Sequence, residues 1–147
     1  MLDERWNYSA SGAFLGSTVD RNFDRKADYR THANQKPNLV TTEADDDFDG
    51  VFESKYRVKA GSFAYGEVDT DGDSYPDLKY YYKHGVLEST EYINSYSGLP
   101  VRVEHYRLGI LTTAEVDTND DGKLDKRYTY SNTAKIVREE AIDLTVQ

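Results

Sequence analysis

Cysteine and long apolar segments are missing from this chain of 147 residues, and acidic residues outnumber basic ones. Without cysteine there is neither a disulfide framework nor a thiolate metal cluster. A chain without cysteine is compatible with both an oxidising and a reducing compartment. No apolar run approaches the roughly 20 residues of a membrane span, so we expect no membrane insertion. The 27 acidic and 18 basic side chains give a net charge of −9. That charge argues against nucleic acid and anionic membranes as partners, because both require a positive surface.

Several columns of residues recur along the chain with a step of 24 residues. The acidic column comprises Glu43, Glu67, Glu91, Glu115 and Glu139, and the glycine column comprises Gly61, Gly85 and Gly109. Tyrosine and apolar columns share this step, so the sequence indicates an array of repeats. We predict a single repeat domain over 1–147, with units that begin near 20, 45, 69, 93 and 117 and a partial unit over 1–19.

Each unit has the pattern of a β-hairpin. In the unit from Asp69 to Tyr92, aromatic residues fill 78–83, His84 and Gly85 form a two-residue turn, and 86–91 returns. This turn pairs residue 82 with 87, 80 with 89 and 78 with 91, which gathers the aromatic side chains on one face. The neighbouring units give the equivalent pairs Tyr56 with Tyr65 and Tyr128 with Val137.

These hairpins predict an all-β fold, an antiparallel meander of about 10–12 strands with one aromatic face and with the intervening loops along one edge. Because such a face is expected to be buried, the sheet should curl into a barrel-like form or fold over as a sandwich. A β-solenoid with two strands per coil is the competing architecture. Helix is not expected, although the carboxyl-terminal stretch from Ala134 to Val146 is ambiguous.

An aspartate-rich loop opens four of the units, in the form Asp-x-Asp/Asn-x-Asp-x-x-x-Asp/Glu. The carboxylate and amide positions are Asp20, Asn22, Asp24 and Asp28; Asp45, Asp47, Asp49 and Glu53; Asp69, Asp71, Asp73 and Asp77; and Asp117, Asn119, Asp121 and Asp125. Ca²⁺ prefers 6–8 oxygen ligands, and side chains at positions 1, 3, 5 and 9 of a tight loop converge on one point. The position-7 carbonyls would come from Lys26, Val51, Tyr75 and Lys123. Mg²⁺ fits less well, because it demands stricter octahedral geometry.

The four loops are expected to differ in affinity. The loop 45–53 carries five acids and 69–77 carries four, both without a base, whereas 117–125 carries four acids and Lys123. The loop 20–28 balances three acids against three bases and has no glycine, so it is the predicted weak site beside three strong ones. The unit that begins at Ile93 has Ser95, Ser97 and Val101 at ligand positions and cannot bind calcium in this way.

These loops resemble the calcium loops of thrombospondin type-3 repeats, dockerins and FG-GAP propeller blades. They do not fit an EF-hand, which needs a glutamate at position 12, where this chain has Thr31, Tyr56, Tyr80 and Tyr128. The strand segments 6–14 and 128–136 loosely resemble the YD-type repeats of bacterial surface and toxin proteins. The resemblance implies calcium binding and brings no catalytic residues with it.

Other interpretations of the recurring residues stay open. The acidic column is either an extra ligand or hydrogen-bond acceptor beside each loop, or a set of cross-strand ion pairs such as Glu115 with Arg102 and Glu139 with Lys126. The alternation of the tyrosines with polar residues favours core or cross-strand packing over a carbohydrate platform. No pair of histidines has zinc spacing, and no nucleophile or phosphate-loop motif is present. A pair of catalytic carboxylates is not excluded, but none stands out.

The sequence therefore predicts a non-enzymatic calcium-binding β-repeat module in which calcium stabilises the fold. Such modules bind calcium at extracellular concentrations, so we expect an extracellular or cell-surface setting, although Met1 to Trp6 does not look like the start of a signal peptide. The alternative is a protein- or carbohydrate-interaction module of the adhesin, toxin-associated or immunity type, in which calcium is only structural. The identity of a protein or glycan partner is left open.

Overall fold

A single twelve-stranded sheet makes up the fold in the computed structural model, which describes residues 3–34 and 38–142. The strands are β1 (Asp3–Tyr8), β2 (Phe14–Asp20), β3 (Tyr29–Ala33), β4 (Leu39–Ala44), β5 (Ser54–Lys59), β6 (Ser62–Val68), β7 (Leu78–Lys83), β8 (Val86–Ile93), β9 (Pro100–Arg107), β10 (Ile110–Val116), β11 (Lys126–Tyr130) and β12 (Ile136–Ala141). The ends of the predicted domain, 1–2 and 143–147, lie outside the described residues. Part of the ambiguous stretch Ala134–Val146 falls there, and the rest of it contains β12.

The predicted all-β antiparallel meander is confirmed, because the spatial order of the strands is their order in the sequence. The expectation of a barrel-like sheet, a sandwich or a solenoid is wrong: every pairing joins consecutive strands, and β1 and β12 do not meet. In the described part of the chain, no helix is long and apolar enough to span a membrane. The buried apolar side chains there are only Ala44 and Ala114. The sheet is thus one layer thick, with both faces toward solvent.

A single layer exposes far more surface than a globular protein of the same mass. The accessible surface is 10169 Å², whereas a compact 16.8 kDa protein exposes about 7,700 Å². The difference arises because, among residues 3–34 and 38–142, no second layer covers either face of the sheet. Cross-strand contacts within the layer must therefore supply most of the stabilisation.

The hairpin register differs from the predicted one by one residue. Tyr82 faces Leu87 as expected, but Tyr80 faces Thr90 and Leu78 faces Tyr92. The cause is a β-bulge just after each two-residue turn, which inserts one unpaired residue into the returning strand. The same shift places Tyr56 opposite Gly66 instead of Tyr65. Tyr128 faces Glu139, two residues beyond the predicted Val137, because the last hairpin has a longer turn as well as a bulge.

The corrected register places large and small side chains alternately in a row across the aromatic face. The odd strands contribute Tyr56, Tyr80 and Tyr128, and the even strands contribute the buried small residues Ser17, Thr42, Gly66, Thr90 and Ala114. Each tyrosine ring can thus lie over the small residue of a neighbouring strand. A Cβ atom built on Gly66 would lie 2.6 Å from the Tyr56 ring. The tyrosines use the sheet itself as their packing surface.

The opposite face carries the acidic column, whose members form ion pairs or accept hydrogen bonds from tyrosine. Glu67 and Glu91 accept hydrogen bonds from the hydroxyl groups of Tyr65 and Tyr81, whereas Glu43 and Glu115 form cross-strand ion pairs. Glu43 contacts Arg30 and lies 3.9 Å from Lys55, which are on the two flanking strands. The predicted pair of Glu139 with Lys126 is present at 3.4 Å, whereas Glu115 contacts His105 and Arg127 and does not pair with Arg102. In the last unit, Glu140 occupies the column position, because it faces Arg127 as Glu67 faces Lys55. The last hairpin is one residue longer, which shifts Glu139 to the aromatic face.

Replacement of Gly66 by alanine should destabilise the sheet. The added methyl group would collide with the Tyr56 ring, and overpacking of this kind costs about 1–3 kcal/mol. Urea unfolding followed by circular dichroism measures the change. The control is Ser17→Ala, which keeps a small side chain in the same row and breaks no side-chain hydrogen bond among the described residues, so it should cost less than about 1 kcal/mol. Equal losses in the two variants would contradict the packing of tyrosine over small residues.

Candidate metal sites in the acidic loops

The four aspartate-rich loops lie side by side along one end of the strands. Each links an even strand to the following odd strand, so the loops 20–28, 45–53, 69–77 and 117–125 all leave the sheet at the same end. The loop 93–101, which lacks the acids, occupies the equivalent place between β8 and β9. Since neighbouring strands are about 4.8 Å apart, consecutive loops are spaced by about 10 Å.

A shared backbone conformation holds the four loops in the same shape. Position 4 has a positive φ in each loop, and so does position 6. These residues are Phe23 and Arg25, Phe48 and Gly50, Gly72 and Ser74, and Asp120 and Gly122. Glycine adopts this left-handed region without strain, whereas at position 6 the Cβ atoms of Arg25 and Ser74 make the same conformation less favourable. The loops without glycine at position 6 nevertheless take up the same turn.

The side chains at positions 1, 3 and 5 accept backbone hydrogen bonds in the same pattern in all four loops. The position-1 carboxylate accepts from the N–H of position 6 at 2.8 Å in all four loops, with donors Arg25, Gly50, Ser74 and Gly122. Position 3 accepts from position 5, and position 5 accepts from the N–H of position 7, whose residues are Lys26, Val51, Tyr75 and Lys123. These bonds fix the orientation of the side-chain oxygens in the same way in each loop.

The carboxylate at position 9 closes each loop onto position 2. Asp28, Glu53, Asp77 and Asp125 accept the N–H of Arg21, Asp46, Thr70 and Thr118, at distances from 2.5 to 3.1 Å. The hydroxyl groups of Thr70 and Thr118 donate to the same carboxylates. The sequence did not indicate that the position-2 side chains contact position 9. The column of Arg, Asp, Thr and Thr directly after the first aspartate was nevertheless visible in the repeat.

Carboxylate oxygens converge most closely in the two loops that carry no base. One oxygen each of Asp45, Asp47 and Asp49 lies within 4.8 Å of the others, and the same holds for Asp69, Asp71 and Asp77. Oxygens bound to one calcium ion at about 2.3–2.6 Å lie at most about 5 Å apart, so these donor sets fit the ion in chemistry and in spacing. The loop 117–125 has the same hydrogen-bond pattern, with the amide of Asn119 in place of one carboxylate.

Mutual repulsion perturbs the carboxylates of the loop 69–77. The N–H of Asp73 lowers the pKa of the exposed Asp71, but desolvation within the loop and the charges of Asp73 and Asp77 outweigh it and raise the pKa above its usual value. Burial alone would raise the pKa of Asp69, whereas hydrogen bonds from Ser74 and Gly72 leave it below its usual value. A cation among these groups would relieve the repulsion.

The loop 20–28 already holds a cation of its own. The Arg21 guanidinium lies 2.6 Å from the Asp28 carboxylate and 3.2 Å from Asp46 of the next loop. It also donates to the backbone oxygen of Asp45 at 2.8 Å and stacks on the ring of Phe48. Arg21 therefore neutralises the position-9 carboxylate of its own loop and bridges two loops. This arrangement supports the prediction that 20–28 is the weakest of the four sites.

Glu104 forms the other concentrated polar cluster, in the middle of the aromatic face. Its carboxylate accepts hydrogen bonds from Tyr106 at 2.5 Å, Tyr92 at 3.2 Å and Arg102 at 2.8 Å. Burial of the tyrosine and its hydrogen bond to Glu104 raise the pKa of Tyr106 to about 12. Burial alone would raise the pKa of Glu104, but the three donors lower it. None of these partners is a carboxylate, so the cluster does not form an acid–base pair of the glycosidase kind.

The sequence matches no protein family, and no curated protein matches it. Among solved structures, a mutant of S. aureus TarM in complex with Fondaparinux, alpha-GlcNAc-glycerol and UDP contains a similar arrangement, with a TM-score of 0.52 at 12% identity. The match covers 90% of this chain and 22% of that chain. At this identity the likeness concerns the fold alone.

Substitution of Arg21 by glutamine should destabilise the protein in a pH-dependent way. Burial would raise the pKa of Asp28, but the hydrogen bonds and charge of Arg21 lower it below the usual value of 3.8. A lowered folded pKa contributes stability that is present above the usual value and lost as the pH falls through the lowered one. In chelator at pH 7, the variant should lose about 1–2 kcal/mol in urea unfolding, and the loss should shrink below about pH 4.

The matched control is Arg25→Gln in the same loop, because Arg25 makes no salt bridge among the described residues. This control should leave the pH profile of stability unchanged. A loss for Arg21→Gln that is the same at pH 7 and pH 3 would rule out the Asp28 pair as its source.

Proposed function

We propose that this chain is a non-enzymatic calcium-binding β-repeat module, in which calcium ions bound along one end of the sheet stabilise the fold. The observation that carries the proposal is the recurrence of one loop geometry four times, with side-chain oxygens at positions 1, 3 and 5 that accept the same backbone hydrogen bonds in each loop. Turns selected only for solubility would not be expected to share both the left-handed positions and the hydrogen-bond pattern.

Calcium would act on the stability of the sheet through the loop charges. In the loops 45–53 and 69–77, carboxylates of like charge are held within a few ångströms, and this repulsion opposes folding. A bound divalent cation reverses the sign of the interaction, so binding free energy becomes folding free energy. Positions 1 and 9 border the strand ends, and binding at a loop would therefore tie together two neighbouring strands.

The proposal includes an extracellular location, a binding rather than a catalytic role, and an order of affinities among the four loops. Loops of this kind in extracellular modules bind calcium with Kd of about 10⁻⁴–10⁻³ M, which matches a protein outside the cell or on its surface. A binding role also accounts for the repetition, since a catalytic centre is normally formed once. The expected order has three strong sites, at 45–53, 69–77 and 117–125, and a weak one at 20–28, where Arg21 already contacts Asp28.

Millimolar calcium should raise the melting temperature relative to chelator. At a calcium concentration ten times Kd, each occupied site adds about 1.4 kcal/mol. Three such sites would therefore raise Tm by roughly 10 °C for a domain of this size. Differential scanning calorimetry measures the shift, and native mass spectrometry counts the bound ions. Identical melting temperatures in calcium and in chelator would contradict the proposal.

Single-loop variants assign the ions to the loops. Asp71→Ala removes an exposed position-3 carboxylate, so we expect one calcium ion fewer and a smaller calcium-dependent rise in Tm. The control is Ser95→Ala, at the same position of the loop without acids, which should keep the full count. Loss of an ion in both variants would show that the binding lies elsewhere.

A second candidate function is that of a protein- or carbohydrate-interaction module, and the exposure of the aromatic face favours it. Phe63 packs edge-on against Tyr56 at 5.6 Å and lies 5.7 Å from Tyr82, yet it remains 48% exposed. Aromatic side chains left in solvent on a rigid sheet are suited to contacts with sugar rings or with another protein. Calcium would then serve only to stiffen this surface.

This candidate is tested by retardation of the protein in gels that contain polysaccharides. Phe63→Ser should reduce the retardation, because it removes the centre of the aromatic cluster. Tyr96→Ser is the control, since Tyr96 is fully exposed in a loop away from the face. Equal retardation of the two variants and the wild type would exclude this face as the carbohydrate-binding surface.

A further inference from the structure

The two outer strands of the sheet expose backbone edges that correspond to successive positions in the repeat. In the described part of the chain, β1 pairs only with β2, and β12 pairs only with β11. β1 is the first strand of a hairpin, as β5 and β11 are, and β12 is the second strand, as β4 and β10 are. A second copy whose β1 pairs with β12 would therefore reproduce the order found between β4 and β5 and between β10 and β11.

The register of such a junction follows from the rows that cross the sheet. The row that pairs Ala44 with Ser54 reaches Ala141 at one edge and Glu4 at the other. Continuation of this row would place Ala141 opposite Glu4 of the second copy. Antiparallel pairing then brings Glu140 opposite Arg5 of that copy.

This register completes an ionic pattern that is present at the interior junctions. Glu43 has a basic residue on each flanking strand, Arg30 before it and Lys55 after it. Glu140 has Arg127 on the preceding strand, at 4.0 Å. Arg5 of a second copy would occupy the following position, and within the described residues Arg5 makes no salt bridge of its own.

The same register completes an apolar contact on the aromatic face. In the interior, Phe63 after the turn of one hairpin packs against Tyr82 of the next hairpin, with ring centroids 5.7 Å apart. The equivalent residues at the edges are Ile136, which is 51% exposed, and Tyr8, which is 56% exposed. The junction would cover both, together with Trp6, which takes the place of the row tyrosines in β1 and is 54% exposed.

We propose that copies of this chain assemble head to tail, with β12 of one copy paired antiparallel to β1 of the next, so that Glu140 faces Arg5 and Ile136 covers Tyr8. Both faces of the sheet continue across the junction without a break. Because the two edges differ, the contact is heterologous and generates an open array or a ring. The inference does not rest on calcium binding.

Charge reversal at the junction provides the test. Sedimentation velocity measures the mass at protein concentrations up to about 1 mM, which is high enough to detect weak association. The wild type should show a mass that rises with concentration beyond that of a dimer. Arg5→Glu and Glu140→Arg should each remain at 16.8 kDa, because each places like charges across the junction. An equimolar mixture of the two variants should assemble again, since every junction then pairs opposite charges. The single tryptophan, Trp6, should report the assembly as a blue shift of its fluorescence.

The control variants are Lys59→Glu and Glu88→Arg, which make the same charge changes at exposed positions of interior strands and should assemble as the wild type does. Restoration on mixing separates a broken junction from a misfolded chain, because two misfolded chains would not recover. A wild type that stays monomeric at all concentrations would overturn the proposal. So would assembly of Arg5→Glu alone, which would indicate pairing of β12 with β12.

Discussion

The packing of tyrosine rings over small side chains on neighbouring strands is the interaction on which the rest of this structure depends. A sheet with no second layer has no conventional core, and in the described residues only two alanines are buried among the apolar side chains. The row through Tyr56, Gly66 and Tyr80 replaces that core with contacts inside the layer. On the opposite face, ion pairs such as Glu43 with Arg30 run between the same strands. Each interior strand is thus held by its two neighbours, which makes the stability nearly one-dimensional along the array.

The repeat period and the hairpin pattern were sufficient to predict the strands, the meander and the position of the loops at one end. The layering could not be predicted, because an alternating aromatic face is compatible with burial by a second layer and with packing over small residues of the same layer. The small residues that decide this, such as Gly66 and Ala114, form a column of their own in the repeat. Because they differ in chemical type, from glycine to threonine, inspection of the sequence does not reveal that they share a structural role.

The predicted register was wrong and the predicted loop contacts were incomplete, each for a separate reason. A single bulge residue such as Glu88 leaves no mark in an alternating pattern, yet it shifts every pair beyond it. The recurrence of carboxylates and amides at positions 1, 3, 5 and 9 was visible in the sequence, and calcium binding by these positions stays a prediction. The bridging role of Arg21 could not, since it depends on the approach of two loops that are 25 residues apart in sequence. In the loops, the pattern within one repeat is visible in the sequence, whereas a contact between repeats is not.

The loop without acids indicates how far calcium and fold depend on each other. Between β8 and β9, Asn94 accepts hydrogen bonds from the N–H groups of Tyr96 and Ser97, and Gly98 donates to its backbone oxygen. The strands around it keep the register of the acidic loops, since Tyr92 faces Arg102 as Val116 faces Lys126. Hydrogen bonds alone can therefore close this turn and set the pairing of the two strands. It follows that calcium, where it binds, would offset the repulsion within an acidic loop and add stability to a sheet whose register is already determined by its own backbone.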